Sequence, residues 1–65
     1  MIPIKYFWSE HPSDEEIHEA MNLVESDPCV VIIRWRVGRS DYSLTVRKGY
    51  SFEDCKKQIP RVYGL

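Results

Sequence analysis

The segment Cys29-Val30-Val31-Ile32-Ile33-Arg34-Trp35-Arg36-Val37 decides how this 65-residue chain folds. After an apolar start it alternates with period two, which predicts an extended strand with one buried side. The other side of the strand ends in two cations, Arg34 and Arg36. The side chains that share the apolar side are Cys29, Val31, Ile33, Trp35 and Val37.

A turn and a second alternating segment follow this strand. The turn is Gly38-Arg39-Ser40, and the segment covers residues 41–48. Together with the first segment they predict an antiparallel hairpin. Tyr42, Leu44 and Val46 form the apolar side of the second segment, and Ser43, Thr45 and Arg47 form its polar side.

The region before the hairpin has the clearest helix signal. Ser13 and Glu16 have the spacing of a capping box, and acidic residues fill the first turn, where the helix dipole favours them. The helix is expected to end before Pro28. Its apolar stripe has helical spacing and consists of Ile17, Ala20, Met21 and Val24.

A shorter helix and a first strand complete the predicted elements. Ser51 and Asp54 form a second capping box, and Pro60 ends a helix with the apolar stripe Phe52, Cys55 and Ile59. Residues 2–8 form the predicted first strand. Its alternation places Ile2, Ile4, Tyr6 and Trp8 on one side, expected to face the helices, and Lys5 and Phe7 on the other.

The order of elements predicts a single small α+β domain of the β-α-β-β-α type. This order is that of the split βαβ or ferredoxin-like arrangement, and residues 61–65 are a candidate fourth strand. A right-handed crossover through the first helix then sets the first strand beside the third, antiparallel, in the order 1-3-2. The second strand would lie at a sheet edge, and both helices would cover one face of the sheet.

Charge is divided between the two halves of the chain. Residues 1–33 sum to −6 and residues 34–65 to +5, although the whole chain carries only −1. Such asymmetry favours a charged partner. The predicted uncovered sheet face carries the candidate binding residues Phe7, Arg34, Arg36 and Arg47, and the first helix offers an acidic contact through Glu15, Glu16 and Glu19.

Chemistry-bearing residues are few and do not form a known motif. His11 and His18 make no zinc spacing with Cys29 or Cys55, so no metal, no cofactor and no catalytic site is expected. The two cysteines are expected to be reduced, with a bridge between them as the alternative. A thiol–imidazole pair is a second alternative, in which the helix dipole would lower the pKa of the Cys55 thiol.

The sequence therefore predicts a small non-catalytic protein that binds a larger protein partner and modulates it. It has no secretory signal and no apolar run near the ~20 residues that span a membrane, so a cytoplasmic location and no membrane contact are expected. A nucleic-acid binder that uses the same arginines is one alternative. A homodimer or larger homo-oligomer, in which the acidic helix meets a neighbour's basic sheet, is another.

Overall fold

The computed structural model describes residues 1–60 and contains three strands and two helices. These elements are β1 (Ile4–Trp8), α1 (Asp14–Ser26), β2 (Val30–Val37), β3 (Ser40–Val46) and α2 (Phe52–Lys56). The protein is a small α+β domain with a mixed three-stranded sheet. This confirms the predicted α+β class. The candidate fourth strand at residues 61–65 lies outside the described residues.

The order of the strands differs from the prediction. The sheet has the order β1-β2-β3, with β1 parallel to β2 and β2 antiparallel to β3. The predicted order 1-3-2 is wrong, because α1 carries the chain back so that β2 pairs directly with β1 instead of leaving room for β3 between them. β2 is therefore the central strand of the described sheet, and β1 and β3 form its edges.

The first helix begins where its capping box predicts. The Ser13 hydroxyl accepts a hydrogen bond from the Glu16 N–H at 3.2 Å, and the Glu16 carboxylate accepts one from the Ser13 N–H at 3.0 Å. The helix ends at Ser26, two residues before Pro28. Of its predicted apolar stripe, Met21 is only partly buried, and the fully buried members are Ile17, Ala20 and Val24.

The second helix repeats this local design over fewer residues. The Ser51 hydroxyl accepts a hydrogen bond from the Asp54 N–H at 3.1 Å, and the Asp54 carboxylate accepts one from the Ser51 N–H at 2.9 Å. These bonds with Ser51 lower the pKa of Asp54. The helix ends at Lys56 and not at the predicted Pro60. Its Cys55 is fully buried against the core.

Both helices cover the same face of the sheet. The Trp35 indole is 0% exposed beneath them, whereas Arg34 and Arg36 on either side of it are exposed, as the alternation predicted. Truncating a buried tryptophan typically costs about 3–5 kcal/mol, so this side chain accounts for a large share of the stability of so small a domain. The remaining buried core residues are Ile17, Ala20, Val24, Cys29, Val31, Ile33, Leu44, Val46 and Cys55.

The hairpin between β2 and β3 closes with a two-residue loop. Val37 pairs with Ser40, which leaves only Gly38 and Arg39 in the turn. Gly38 has φ +60°, while no described residue other than glycine has a positive φ. A type II′ turn needs a left-handed first position, so this glycine sets the hairpin register that aligns the two buried strand faces.

Candidate functional site

The face of the sheet that the helices leave uncovered is the candidate binding surface, and we call it the open face. Strand register defines its members, since residues paired across a ladder point to the same side of a sheet. Tyr6 pairs with Ile32, which in turn pairs with Thr45. The open face consists of Ile4, Tyr6 and Trp8 from β1, Val30, Ile32, Arg34 and Arg36 from β2, and Asp41, Ser43 and Thr45 from β3.

The predicted orientation of β1 is wrong. Phe7 was expected on the open face, but it pairs with Ile33 and therefore lies on the helix side, as does Lys5. Ile4 and Tyr6, expected beneath the helices, lie on the open face. Both sides of this strand are apolar, so alternation divides its residues into two sets without indicating which set faces the core.

The correction gives the open face an exposed row of one aliphatic and two aromatic side chains, which sequence reasoning missed and which we call the aromatic row: Ile4, Tyr6 and Trp8. Ile4, Tyr6 and Trp8 are 51%, 60% and 63% exposed, unusually high values for apolar side chains on a strand. Trp8 pairs with Arg34 in the ladder, so the two residues are neighbours on adjacent strands. The sequence signal for this row is the spacing of the three residues at every second position, which predicts a shared side of the strand but does not indicate that this side is exposed.

The three candidate arginines do not form one patch. Arg34 and Arg36 lie two residues apart on the open side of β2 and are both exposed. Arg47 follows β3 directly, beyond the pair formed by Val31 and Val46. At about 3.3 Å per residue, this register separates it from Arg34 by roughly 13 Å along the strands. The candidate arginines thus form a pair at one end of the sheet, with Arg47 alone at the other end.

The pair of arginines has an acid of its own chain beside it. Asp41 lies opposite Arg36 in the ladder, and its carboxylate accepts a hydrogen bond from the Arg36 Nε at 2.8 Å. This bond and the attraction between the two opposite charges lower the pKa of Asp41 and raise the pKa of Arg36. Asp41 thus partly offsets the like charges of Arg34 and Arg36, and the charge of Arg34 also contributes to the lowered pKa of Asp41. Among residues 1–60, no acid lies within ion-pair distance of the Arg34 guanidinium, which stands beside the aromatic row.

Of the three acidic residues predicted to form a contact on α1, Glu16 has a structural role that the other two do not share. Glu15 and Glu19 are exposed, whereas the Glu16 carboxylate accepts hydrogen bonds from the Ser9 hydroxyl and the Ser13 N–H, both at 3.0 Å. Partial burial opposes ionisation of Glu16, but these hydrogen bonds and the nearby charge of His11 outweigh it and lower its pKa. Glu16 therefore joins the end of β1 to the start of α1 and is not a free surface charge.

A groove lies on the helix side of the sheet, between α1 and β1. Its volume is about 320 Å³. Helix α1 packs over β2 and β3 and not over β1. Within residues 1–60, the helix side of β1 is therefore only partly covered. Phe7 is 48% exposed there. The groove has an apolar floor with an acidic rim and is lined by Phe7, Trp8, Glu16, Glu19, Ala20, Leu23 and Ile33.

The histidines and cysteines do not converge on a reactive group. Cys29 and Cys55 are free and buried, so the alternative of a bridge between them is wrong. Burial, with the charge of Asp54, raises the pKa of the Cys55 thiol, opposite to the direction that a thiol–imidazole pair needs. His18 stacks on Phe52 with ring centroids 4.5 Å apart, which joins the two helices.

Two further observations concern residues 1–60. No three side chains of histidine, cysteine, aspartate or glutamate are grouped there in a way that would hold a metal ion. None of the helices in this part of the chain has the length and apolar character needed to cross a membrane. Comparisons with protein-family models, with curated proteins and with solved structures found no match to this chain.

Proposed function

We propose that this chain is a small non-catalytic binding protein that docks on a larger protein through its open face and modulates it. The observation that carries the proposal is the exposure of the row Ile4, Tyr6 and Trp8 next to Arg34. Aromatic residues and arginine are the residue types enriched in the energetically dominant centres of protein interfaces. Exposed apolar groups clustered in this way are typical of interaction sites.

The charge distribution supports a contact with two parts. The open face offers Arg34 and Arg36, and the exposed acids Glu15 and Glu19 lie on α1, on the opposite side of the sheet. A partner that contacts the open face would meet aromatic rings and cations, and the acidic helix remains available for a second contact. Complementary charges of this kind mainly affect partner choice and association rate.

A nucleic-acid binder is the second candidate function, and one observation favours it. Tyr6 and Trp8 stand on an uncovered sheet face beside a guanidinium, and bases of single strands stack on such rings while cations hold the phosphates. The net charge of −1 weighs against it, because affinity for phosphate grows with the number of cations engaged.

The test is affinity capture from a lysate of the source organism, with and without nuclease. Trp8→Ala and Arg34→Glu change the open face, and Glu25→Gln on the exposed part of α1 is the matched control. We expect a discrete protein, resistant to nuclease, that the wild-type chain and the control retain and the two open-face variants lose. Equal capture by all four proteins would contradict the proposal.

The second candidate is distinguished by titrating a fluorescently labelled single strand at low and moderate salt. Saturable binding that falls with salt and is lost in Arg34→Glu would favour nucleic acid over a protein partner. An unchanged signal at low salt would remove this candidate and leave the protein-binding proposal intact.

A further inference from the structure

We propose that two copies of this chain associate through their β1 strands, antiparallel, to form one continuous six-stranded sheet. The first observation is that the outer edge of β1 has no neighbouring strand in the described part of the chain. The Val30 N–H donates to the Pro3 carbonyl at 3.0 Å, and the Ser9 N–H donates to the Arg34 carbonyl at 2.9 Å. In a parallel ladder alternate residues bond to the neighbouring strand, so the backbone groups of Ile4, Tyr6 and Trp8 point outward. Nothing within residues 1–60 pairs with them.

At the opposite edge of the sheet, a side chain of the same chain bonds to the outward backbone groups of β3. On β3, the side-chain amide of Gln58 accepts a hydrogen bond from the Thr45 N–H at 2.9 Å and donates one to the Thr45 carbonyl at 2.7 Å. The amide thus occupies the backbone groups that a further strand would use. Pairing through β3 would have to displace this side chain, whereas no side chain or strand within residues 1–60 occupies the outward backbone groups of β1.

The second observation is that β1 is apolar on both sides. Tyr6 and Trp8 are exposed on the open face, and Phe7 is 48% exposed on the helix side. Edge strands of monomeric proteins are usually protected by charges, proline or a bulge, and within β1 the sole charge is Lys5. A strand with a free edge and two uncovered apolar sides is what an interface between sheets requires.

The register of the dimer follows from the outward backbone groups. Placing Tyr6 opposite the partner's Tyr6 on the two-fold axis brings Ile4 opposite the partner's Trp8. All three outward-pointing residues of each strand then exchange bonds, for about six new main-chain hydrogen bonds. On the open face this arrangement joins the two aromatic rows into one strip.

Charge complementarity favours a second copy over an unrelated strand. In this register the partner's Lys5 lies opposite Phe7, on the helix side, at the groove whose rim carries Glu16 and Glu19. Within residues 1–60 of one chain, Lys5 makes a loose ion pair with Asp27, 3.9 Å long and exposed, which is worth little. In the dimer, Lys5 of each copy would leave Asp27 and contact Glu19 of the other copy, so the two-fold axis gives two such ion pairs. The dimer leaves Arg34 and Arg36 exposed, so this inference holds whatever the open face binds.

The test is the mass in solution, measured by light scattering during size-exclusion chromatography over a concentration series. We expect a concentration-dependent rise from 7.7 kDa to twice that value. Tyr6→Pro removes an N–H that the monomer does not use, a substitution that edge strands tolerate. Tyr6→Ala removes the ring but keeps the N–H. Proline should weaken the dimer at least about ten-fold more than alanine does, because two main-chain donors are lost per dimer.

A charge exchange tests the register independently of any effect of proline on folding. Lys5→Glu and Glu19→Lys should each weaken the dimer, and the double variant should restore it, with circular dichroism confirming that each variant is folded. A monomer mass at every concentration up to about 1 mM would overturn the proposal. So would an assembly larger than two, or a dimer that neither proline nor the charge exchange affects.

Discussion

The Gln58 side chain offers the sharpest test of how this domain holds its sheet. Its amide makes two hydrogen bonds with the backbone of Thr45, which has no further strand beside it in the described sheet. Each such bond contributes about 0.5–1.5 kcal/mol, and water can partly replace it at a sheet edge. We therefore expect Gln58→Ala to lower the free energy of unfolding by about 1–2 kcal/mol.

This loss is large relative to the whole domain. A chain of this length has a total stability of roughly 3–10 kcal/mol, and 1 kcal/mol shifts its melting temperature by about 4–8 °C. Thermal unfolding followed by circular dichroism should thus show a decrease of about 5–15 °C for Gln58→Ala. Lys57→Ala, at the exposed neighbouring position, is the control and should change the melting temperature by less than about 3 °C.

Gln58→Glu distinguishes the two hydrogen bonds, because the new carboxyl group can donate to the Thr45 carbonyl only when it is protonated. At neutral pH its carboxylate still accepts from the Thr45 N–H, but it cannot donate to the Thr45 carbonyl, and its charge lies against that oxygen. Folding would then raise the pKa of the new carboxyl, so this variant should gain stability relative to the wild type as the pH falls below about 5. Equal melting temperatures for Gln58→Ala and Lys57→Ala would refute the assigned role of the amide.

Two further predictions concern the ends of β1 and the core. Because hydrogen bonds lower the pKa of Glu16 despite partial burial, its ionised form stabilises the fold above its unfolded value of 4.5, and this contribution is lost as the pH falls through the folded value. Urea unfolding at several pH values should therefore show a smaller loss between about pH 5 and pH 3 for Glu16→Gln than for the wild type, and parallel curves would contradict this. Trp8→Phe leaves only the buried Trp35, so emission should be blue-shifted and resist acrylamide, whereas Trp35→Phe leaves the exposed Trp8 and should behave in the opposite way, provided that it is folded.

Local signals in the sequence were sufficient for the starts of both helices and for the hairpin, although α2 ends at Lys56 and not at Pro60. The capping box of Ser13 and Glu16 specified where α1 begins, because both of its hydrogen bonds join residues three apart. The alternation around Trp35 specified the inner side of β2, since arginines on the other side would be costly to bury. The same alternation predicted that Arg34 and Arg36 lie on the uncovered face, but it did not predict that Phe7 lies on the helix side.

The orientation of β1 and the order of the strands were decided only by tertiary structure. β1 is apolar on both sides, so turning it over changes the buried apolar area little, and its alternation carries no information about which side is inner. Its place is determined by contacts between distant residues: the ladder to β2, which begins where Val30 meets Pro3, and the hydrogen bond from Ser9 to Glu16. Residue patterns along the chain were enough to specify the type and order of the elements and the inner side of the central strand, because those depend on short-range bonding and on the cost of burying charge. Which aromatic residues remain exposed depends on how the strands pair. The free-energy difference between the alternative pairings comes from contacts among residues that are far apart in the chain.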